Sequence, residues 1–226
     1  DSPEYADYRY IENEEPYGGT ENYDTSPGVG DKTTTYELSD DGRTFTCTIE
    51  ADGKKVPYTL KYTLYCDGVV ELEASFSPIA NTLRRIGLGM RFPTRWDNVT
   101  YYAYGPHENY IDRREGAYLG VYSTTVSDMF EPYARPQSCG NHEGLRWVTL
   151  SSADGDGIRD ETEGNVAFSM LHWDDKALKS ANHCWNLSNS GEVFAHFDYM
   201  QKGLGNASCG PGPLSQYMVP SSGTYG

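Results

Sequence analysis

Short runs of alternating apolar and polar residues, separated by turn residues, constrain the fold of this chain more than any other feature. Residues Thr44–Ile49 and Tyr58–Tyr65 alternate, and the turn-forming stretch 51–55 lies between them. A second turn at 66–68 leads into Val69–Phe76. Alternation with a period of two is typical of a strand with one buried face, and tight turns join neighbouring strands. These residues are therefore predicted to form an antiparallel meander.

Runs of the same kind recur through the rest of the chain, and only one helical pattern interrupts them. That pattern is Asp174–Ala181, which begins with two acidic residues that suit the positive end of a helix dipole. We predict an all-β fold, a large antiparallel β-sandwich with one short helix. The further strands are predicted at Ile86–Phe92, Val99–Gly105, Gly120–Val126, Arg146–Ser151, Val166–Leu171, Glu192–Tyr199 and from Thr224 onward.

The first 33 residues differ in composition from the rest of the 226-residue chain. Residues 1–33 are acidic, rich in Tyr, Gly and Pro, and show no sustained period, so they are predicted to form a loop or an arm. Residues 34–226 are predicted to form a single β-sandwich domain, because all-β sandwiches commonly reach this length as one unit.

The charge of the chain limits the partners that it can attract. With 33 acidic and 18 basic residues the formal net charge is −15, so we expect no binding to nucleic acid or to anionic membranes. Neutral sugars remain compatible with this charge. No apolar run approaches the roughly 20 residues that cross a bilayer, and residues 1–30 lack the order of a signal peptide. We expect a soluble protein of bacterial type, cytoplasmic or periplasmic, and leave the compartment open.

The histidines and cysteines do not follow the spacing of a metal site. The five histidines include no close pair, and the five cysteines are irregularly spaced. We therefore predict no metal and no cofactor in this chain.

The stretch Gly105–Arg113 combines a turn, aromatic character and three charges directly after a predicted strand. Its candidate residues are His107, Glu108, Asn109, Tyr110, Asp112 and Arg113. Glu108 and Asp112, next to His107, could form an acid/base set. We favour a structural role, in which Asp112 and Arg113 form a buried ion pair or a cap that holds the turn. In that role Asn109 bonds the backbone and Tyr110 packs, and no residue of this chain is predicted to be catalytic.

The stretch Gly203–Pro213 is the second candidate, with four glycines among its eleven residues. Glycine lets a backbone turn tightly and approach a ligand closely, although an ordinary loop between strands has the same composition.

These two stretches, with the segments between them, resemble the C-terminal domain of large β-galactosidases of glycoside hydrolase family 2. The matching segments occur in the order of that family: Arg85–Leu88, Gly105–Arg113, Ser127–Tyr133, Arg135–Gln137 and Gly203–Pro211. The resemblance implies a galactose-mutarotase-like supersandwich. It also implies one more strand after residues 221–224, and that strand is expected to be incomplete here.

The resemblance further implies an accessory role. In this family the two catalytic glutamates lie in an upstream barrel domain, and no position here matches them, so the chain is predicted to be inactive alone. Its partners would be the upstream domains, including the barrel, and a β-galactoside. It would complete the substrate pocket of a retaining enzyme and support its assembly. The resemblance places Asn206, Ser208 and Cys209 near the substrate, and Cys209 occupies a position that is often a sugar-stacking Trp.

Two other functions remain open. An autonomous carbohydrate-binding module requires an exposed aromatic patch. Of the tryptophans, Trp96 is predicted to be exposed, whereas Trp147 and Trp185 are predicted to pack. A mutarotase-like epimerase requires a His and a carboxylate in one cleft, for which His107 and Glu108 form the first pair to consider. Sequence neighbours on an extended segment point to opposite faces, so this pair is a poor candidate.

Overall fold

The computed structural model describes residues 4–6, 32–51, 57–77, 85–206 and 210–220. These residues belong to two compact units. The larger unit contains residues 4–6 and the described residues from 85 to 219, and the smaller contains those from 32 to 77 with residue 220.

The described residues contain eleven strands and a single short α-helix. The strands are β1 (Glu4–Ala6), β2 (Lys32–Leu38), β3 (Thr44–Ala51), β4 (Tyr58–Tyr65), β5 (Val70–Phe76), β6 (Arg85–Pro93), β7 (Asn98–Gly105), β8 (Tyr118–Thr125), β9 (His142–Ser151), β10 (Gly157–Leu171) and β11 (Glu192–Gln201). The helix is α1 (Asp175–Ser180), and 3-10 turns lie at Ser127–Met129, Cys184–Asn186 and Ser215–Tyr217.

The smaller unit is a four-stranded antiparallel sheet in the order β2-β3-β4-β5. Its two faces differ in chemistry, because alternation along each strand is in register with its neighbours. Cys47 pairs with Tyr36 on one side and with Tyr62 on the other. Thr46, which points to the opposite face, pairs with Glu37 and with Thr63. One face of this sheet is therefore mainly apolar and the other polar.

The larger unit is a seven-stranded antiparallel sheet in the order β1-β6-β11-β10-β9-β7-β8. Its core is formed by fully buried side chains of the central strands, among them Tyr101, Leu145, Leu150, Phe168 and Met170. The helix α1 follows β10. Asp174 caps it, because its Oδ1 accepts the Ala177 N–H at 2.7 Å, and Leu178 on the helix is buried.

The predicted fold class is confirmed: the described residues form two antiparallel sheets and a single short α-helix, as an all-β sandwich class requires. The predicted strands from 44 to 76 and from 86 to 199 are all present, with shifts of a few residues at most of their ends, but β10 begins at Gly157, nine residues before the predicted start at Val166. The strand predicted from Thr224 lies outside the described residues. Within the segment predicted to be an arm, β1 pairs with β6 at Tyr5 and Leu88. The boundary at residue 33 and the single domain stay predictions.

Candidate functional site

The loop that follows β7 is held to the sheet by Asn109. This side chain is 1% exposed. Its amide nitrogen donates to the carbonyls of Tyr104 at 2.9 Å and His107 at 3.0 Å, and its Oδ1 accepts the Glu143 N–H at 3.0 Å. Asn109 and Asn141 add a reciprocal pair of bonds at 2.7 and 2.8 Å. Because every polar atom of the Asn109 side chain has a partner, the position of the loop relative to β9 is fixed.

Glu108 is surrounded by hydrogen-bond donors. Its Oε2 accepts the Tyr110 hydroxyl at 3.0 Å and the Gly140 N–H at 2.7 Å, and its Oε1 accepts the Tyr133 hydroxyl. Burial, assisted by the hydrogen bond to the Glu108 carboxylate, raises the pKa of Tyr133. Both oxygens of the Glu108 carboxylate are therefore already bonded within the chain.

Asp112 connects this loop to the glycine-rich segment about ninety residues later in the chain. Its two carboxylate oxygens accept the N–H groups of Leu204 at 3.0 Å and Gly205 at 2.8 Å. A side chain at Gly203 would place its Cβ 2.7 Å from the Asp112 carboxylate, so glycine is required for this approach. Gly205 has φ +60°, which a glycine adopts without strain.

Arg113 contacts the same segment. Its guanidinium donates to the Gly205 carbonyl and, at 3.3 Å, to Oδ1 of Asn206. The carboxylate of Asp112 therefore binds backbone N–H groups while Arg113 binds a carbonyl and an amide oxygen. We call these contacts between residues 112–113 and residues 203–206 the loop clamp.

A buried polar network lies at the start of β6 and the end of β11. Gln201, at the end of β11, donates to Asn141 at 3.0 Å and to Asp198 at 2.8 Å. Arg85, with 0% of its surface exposed, donates to Asp198 at 2.7 and 3.1 Å and to Asp175 at 3.1 Å. Burial alone lowers the pKa of Arg85, but attraction to the two carboxylates outweighs it, and the pKa is raised. A buried charge of this kind is stable only because it is paired.

The family of the chain is decided by sequence comparison. The sequence profile of the β-galactosidase small chain matches residues 9–226. The chain belongs to the β-galactosidase small-chain family. The resemblance of Gly105–Arg113 and Gly203–Pro211 to β-galactosidases is thereby confirmed.

Curated relatives of this chain are much longer β-galactosidases. One from Priestia megaterium is 35% identical over 146 residues, which are 64% of the chain and 14% of that protein. The β-galactosidase BgaC of Bifidobacterium adolescentis is 32% identical over 176 residues, 74% of the chain and 17% of that protein. One from Streptococcus thermophilus is 29% identical over 198 residues, which are 85% of the chain and 19% of that protein. The small chain spans less than a fifth of the length of these relatives.

The structure brings together some of the predicted site residues of the small chain. Asn206 lies in the loop clamp, whereas Ser208 and Cys209 lie outside the described residues. Asp112 and Arg113 direct their side chains to the glycine-rich segment and do not form the predicted buried ion pair: Arg113 is exposed and Asp112 is half-buried. Their structural role stays a prediction.

His107 and Glu108 occupy different surroundings. His107 is exposed, whereas Glu108 accepts three hydrogen bonds. This arrangement gives the mutarotase-like function no support, because the Glu108 carboxylate is already bonded within the chain.

The predicted exposures of two tryptophans were wrong. Trp96 packs against the core and donates its indole N–H to Asp156 at 2.9 Å, whereas Trp185 is 79% exposed. The partner of Trp96, Asp156, lies 60 residues later in the chain. The polar residues next to Trp96 in sequence gave no indication of this contact. Trp185 lies in a 3-10 turn, where the residue next in sequence does not determine packing.

The buried network is the part of the site that sequence reasoning missed. Arg85 was included in a matching segment without a role, and Asp198 and Gln201 were not identified. The available signal was a charged residue in the middle of the apolar run of β11. That signal indicates a paired charge but does not identify its partner 113 residues away.

Among the described residues, no group of His, Cys, Asp or Glu side chains is arranged to hold a metal ion. The helices in that part of the chain are too short and too polar to cross a membrane.

Proposed function

We propose that the chain is the C-terminal accessory domain of a retaining β-galactosidase. In this proposal it completes the substrate pocket, supports assembly with the upstream domains and does not hydrolyse glycosides alone. Membership of the small-chain family and the greater length of the relatives support it. The observation that carries it is the loop clamp, which fixes the segment leading directly into the predicted substrate-proximal residues.

The clamp gives the glycine-rich segment a defined position. A glycine-rich segment has many accessible backbone conformations. Holding its backbone in one of them carries an entropic penalty of about 1 kcal/mol for each residue. Two backbone N–H groups bonded to Asp112 and a carbonyl bonded to Arg113 offset that penalty before any ligand arrives. A pre-organised loop of this kind contributes to a pocket without reordering when substrate binds.

Asn206, Ser208 and Cys209 are proposed to contact the substrate from this loop. In related β-galactosidases the position of Cys209 is often a Trp. A thiol offers a small contact surface but no flat π-face, so the loop would form a wall of the pocket and not a stacking platform. The two catalytic carboxyl groups, about 5–5.5 Å apart in a retaining enzyme, would be supplied by the upstream barrel.

The test is Asp112→Asn in the longer protein that carries this chain. An asparagine has only one acceptor oxygen, so one of the two N–H groups of the segment loses its partner and the loop loosens. We expect kcat/KM for a chromogenic β-galactoside to fall about tenfold, which corresponds to about 1.4 kcal/mol of transition-state stabilisation.

The matched control is Asp128→Asn, which removes an exposed carboxylate from the same compact unit. Circular dichroism and thermal unfolding would confirm that both variants are folded. An unchanged kcat/KM for Asp112→Asn would show that the clamped loop does not form part of the pocket, and the proposal would be abandoned.

A further inference from the structure

The most exposed of the large hydrophobic side chains in the described part of the chain is Trp185, at 79%. Its indole stacks on the imidazole of His183, with ring centroids 4.2 Å apart and an angle of 18° between the planes. Because the imidazole lies against one face of the indole, the opposite face remains open to solvent. The exposed indole presents a flat, electron-rich face that a ligand can contact.

The turn that carries Trp185 is fixed by the chain itself. The Asn186 N–H donates to the His183 carbonyl at 2.9 Å, and the His183 N–H donates to Oδ1 of Asn186 at 3.1 Å. The Cys184 thiol contacts the Tyr133 carbonyl at 3.1 Å, and Leu187 packs against the core. The indole is therefore held on a closed turn, and binding a ligand to its open face needs little ordering.

The residues around the indole favour a sugar over a protein partner. Protein interfaces bury an aromatic anchor within a largely apolar centre. Here the residues next to Trp185 in the turn are polar: Asn182, His183 and Asn186 are all exposed. An aromatic face, with amide side chains next to it in the chain, suits a small polar ligand that has one apolar face.

A galactopyranose ring has such a face. In the β-galactoside the hydrogens on C3, C4 and C5 point to the same side of the ring and form an apolar patch with positive C–H edges. These edges match the negative face of an indole. Because Oδ1 of Asn186 is bonded to the backbone, its amide N–H groups are the donors available to a sugar hydroxyl beside the ring.

We propose that Trp185, stacked on His183 and flanked by Asn182 and Asn186, is a binding site for the pyranose ring of a β-galactoside. It is built from residues other than those of the loop clamp. Such a site would hold a galactoside without reacting with it, and the inference does not depend on the proposed role of the chain in hydrolysis.

The test uses the 226-residue chain and methyl β-galactopyranoside, followed by the indole N–H signals in NMR spectra. We expect the Trp185 signal to shift in a saturable way. The Trp185→Ala variant should bind at least tenfold more weakly, and Trp185→Phe, which keeps a smaller ring, should lie between the two. Tyr118→Ala is the matched control, because Tyr118 is 73% exposed on the edge strand β8, and this variant should bind as the unaltered chain does.

Three results would overturn the proposal. The first is the absence of a saturable shift up to the solubility of the sugar. The second is equal binding of methyl β-glucopyranoside, whose C4 hydrogen lies on the other side of the ring. The third is self-association of the chain that Trp185→Ala abolishes in sedimentation experiments, since Trp185 would then bind a second copy. The readout is binding to the isolated chain, so a failure here is separate from a change in kcat/KM of the longer protein.

Discussion

At the scale of single residues, His142 is the histidine of the described segments whose surroundings change its pKa most. Its ring lies 4.8 Å from that of Tyr101 and 5.4 Å from that of Phe168, and it is 3% exposed. Burial lowers the pKa of His142 from 6.5 to about 4, although a hydrogen bond to the Tyr104 carbonyl at 3.0 Å opposes this effect. A carbonyl accepts only, so the neutral ring carries its proton on Nδ1.

We expect the free energy of unfolding to depend on pH because of this residue. The pKa of His142 is lower in the folded chain than in the unfolded chain, so the unfolded state binds more protons between pH 6.5 and about 4. The contribution of His142 is complete above pH 6.5 and is lost as the pH falls towards 4, by about 3 kcal/mol at most. Urea unfolding at a series of pH values measures it.

Two variants isolate this effect from the carboxylates that titrate in the same range. In His142→Gln the part of the slope due to the imidazole should disappear, even if the variant is less stable at every pH. In His107→Gln the slope should remain, because His107 is exposed. Equal slopes in the unaltered chain and in His142→Gln would contradict the assignment.

At the scale of elements, the pairing of β6 with β11 depends on a glycine. Gly87 lies opposite Asp198. A Cβ at Gly87 would lie 2.3 Å from Oδ1 of Asp198 and 2.5 Å from the Phe197 carbonyl. On the same strand, Arg85 donates to the other carboxylate oxygen of Asp198. The strand β6 therefore supplies both the space for a buried carboxylate and the cation that balances it.

We expect Gly87→Ala to destabilise the chain by about 1–3 kcal/mol, because the added methyl group must displace backbone atoms of β11 or break the bond between Arg85 and Asp198. Urea unfolding at neutral pH measures the change. Gly116→Ala is the control, since a Cβ there would have no neighbour within 4 Å. A Gly87→Ala chain as stable as the control variant would show that β6 and β11 can move apart easily.

The strands that sequence reasoning identified are those with one apolar face. It found β3, β4 and β7 nearly to their ends, because alternation reports burial of one face. It missed the first half of β10, where Arg159–Glu163 is almost entirely charged or polar. A strand with polar residues on both faces carries no hydrophobic period, and its pairing with β9 depends on backbone bonds that leave no sequence signal.

At the scale of the whole molecule, the fold brings together segments that are far apart in the chain. The order of Gly105–Arg113 and Gly203–Pro211 identified the family, but it did not predict that Asp112 would bind the backbone of Leu204 and Gly205. A carboxylate in a loop can bond any nearby donor, so sequence alone defines the set of candidates and the fold selects the partner. The same limit applied to Arg85 and Asp198.

The whole-molecule prediction is that the isolated chain does not hydrolyse β-galactosides. Hydrolysis with retention needs two carboxyl groups about 5–5.5 Å apart, one of which must carry a proton. The carboxylates described in the candidate site have other partners: Glu108 accepts two tyrosine hydroxyls and an N–H, Asp112 accepts two N–H groups, and Asp198 is paired with Arg85. Each of these carboxylates would have to give up its present partners before it could act on a glycosidic bond.

The measurement is the release of nitrophenol from a nitrophenyl β-galactoside by the purified 226-residue chain, compared with buffer and with the chain joined to the upstream barrel that we propose for it. We expect the isolated chain to match buffer and the joined protein to turn over substrate. Turnover by the isolated chain that is lost in Glu108→Gln, while Glu115→Gln keeps it, would show that a working carboxyl pair exists within this chain. Glu115 is exposed, so its loss controls for the change of charge alone. In that case the carboxylate of Glu108 would have to exchange its tyrosine partners for a substrate oxygen, and the accessory role would be wrong.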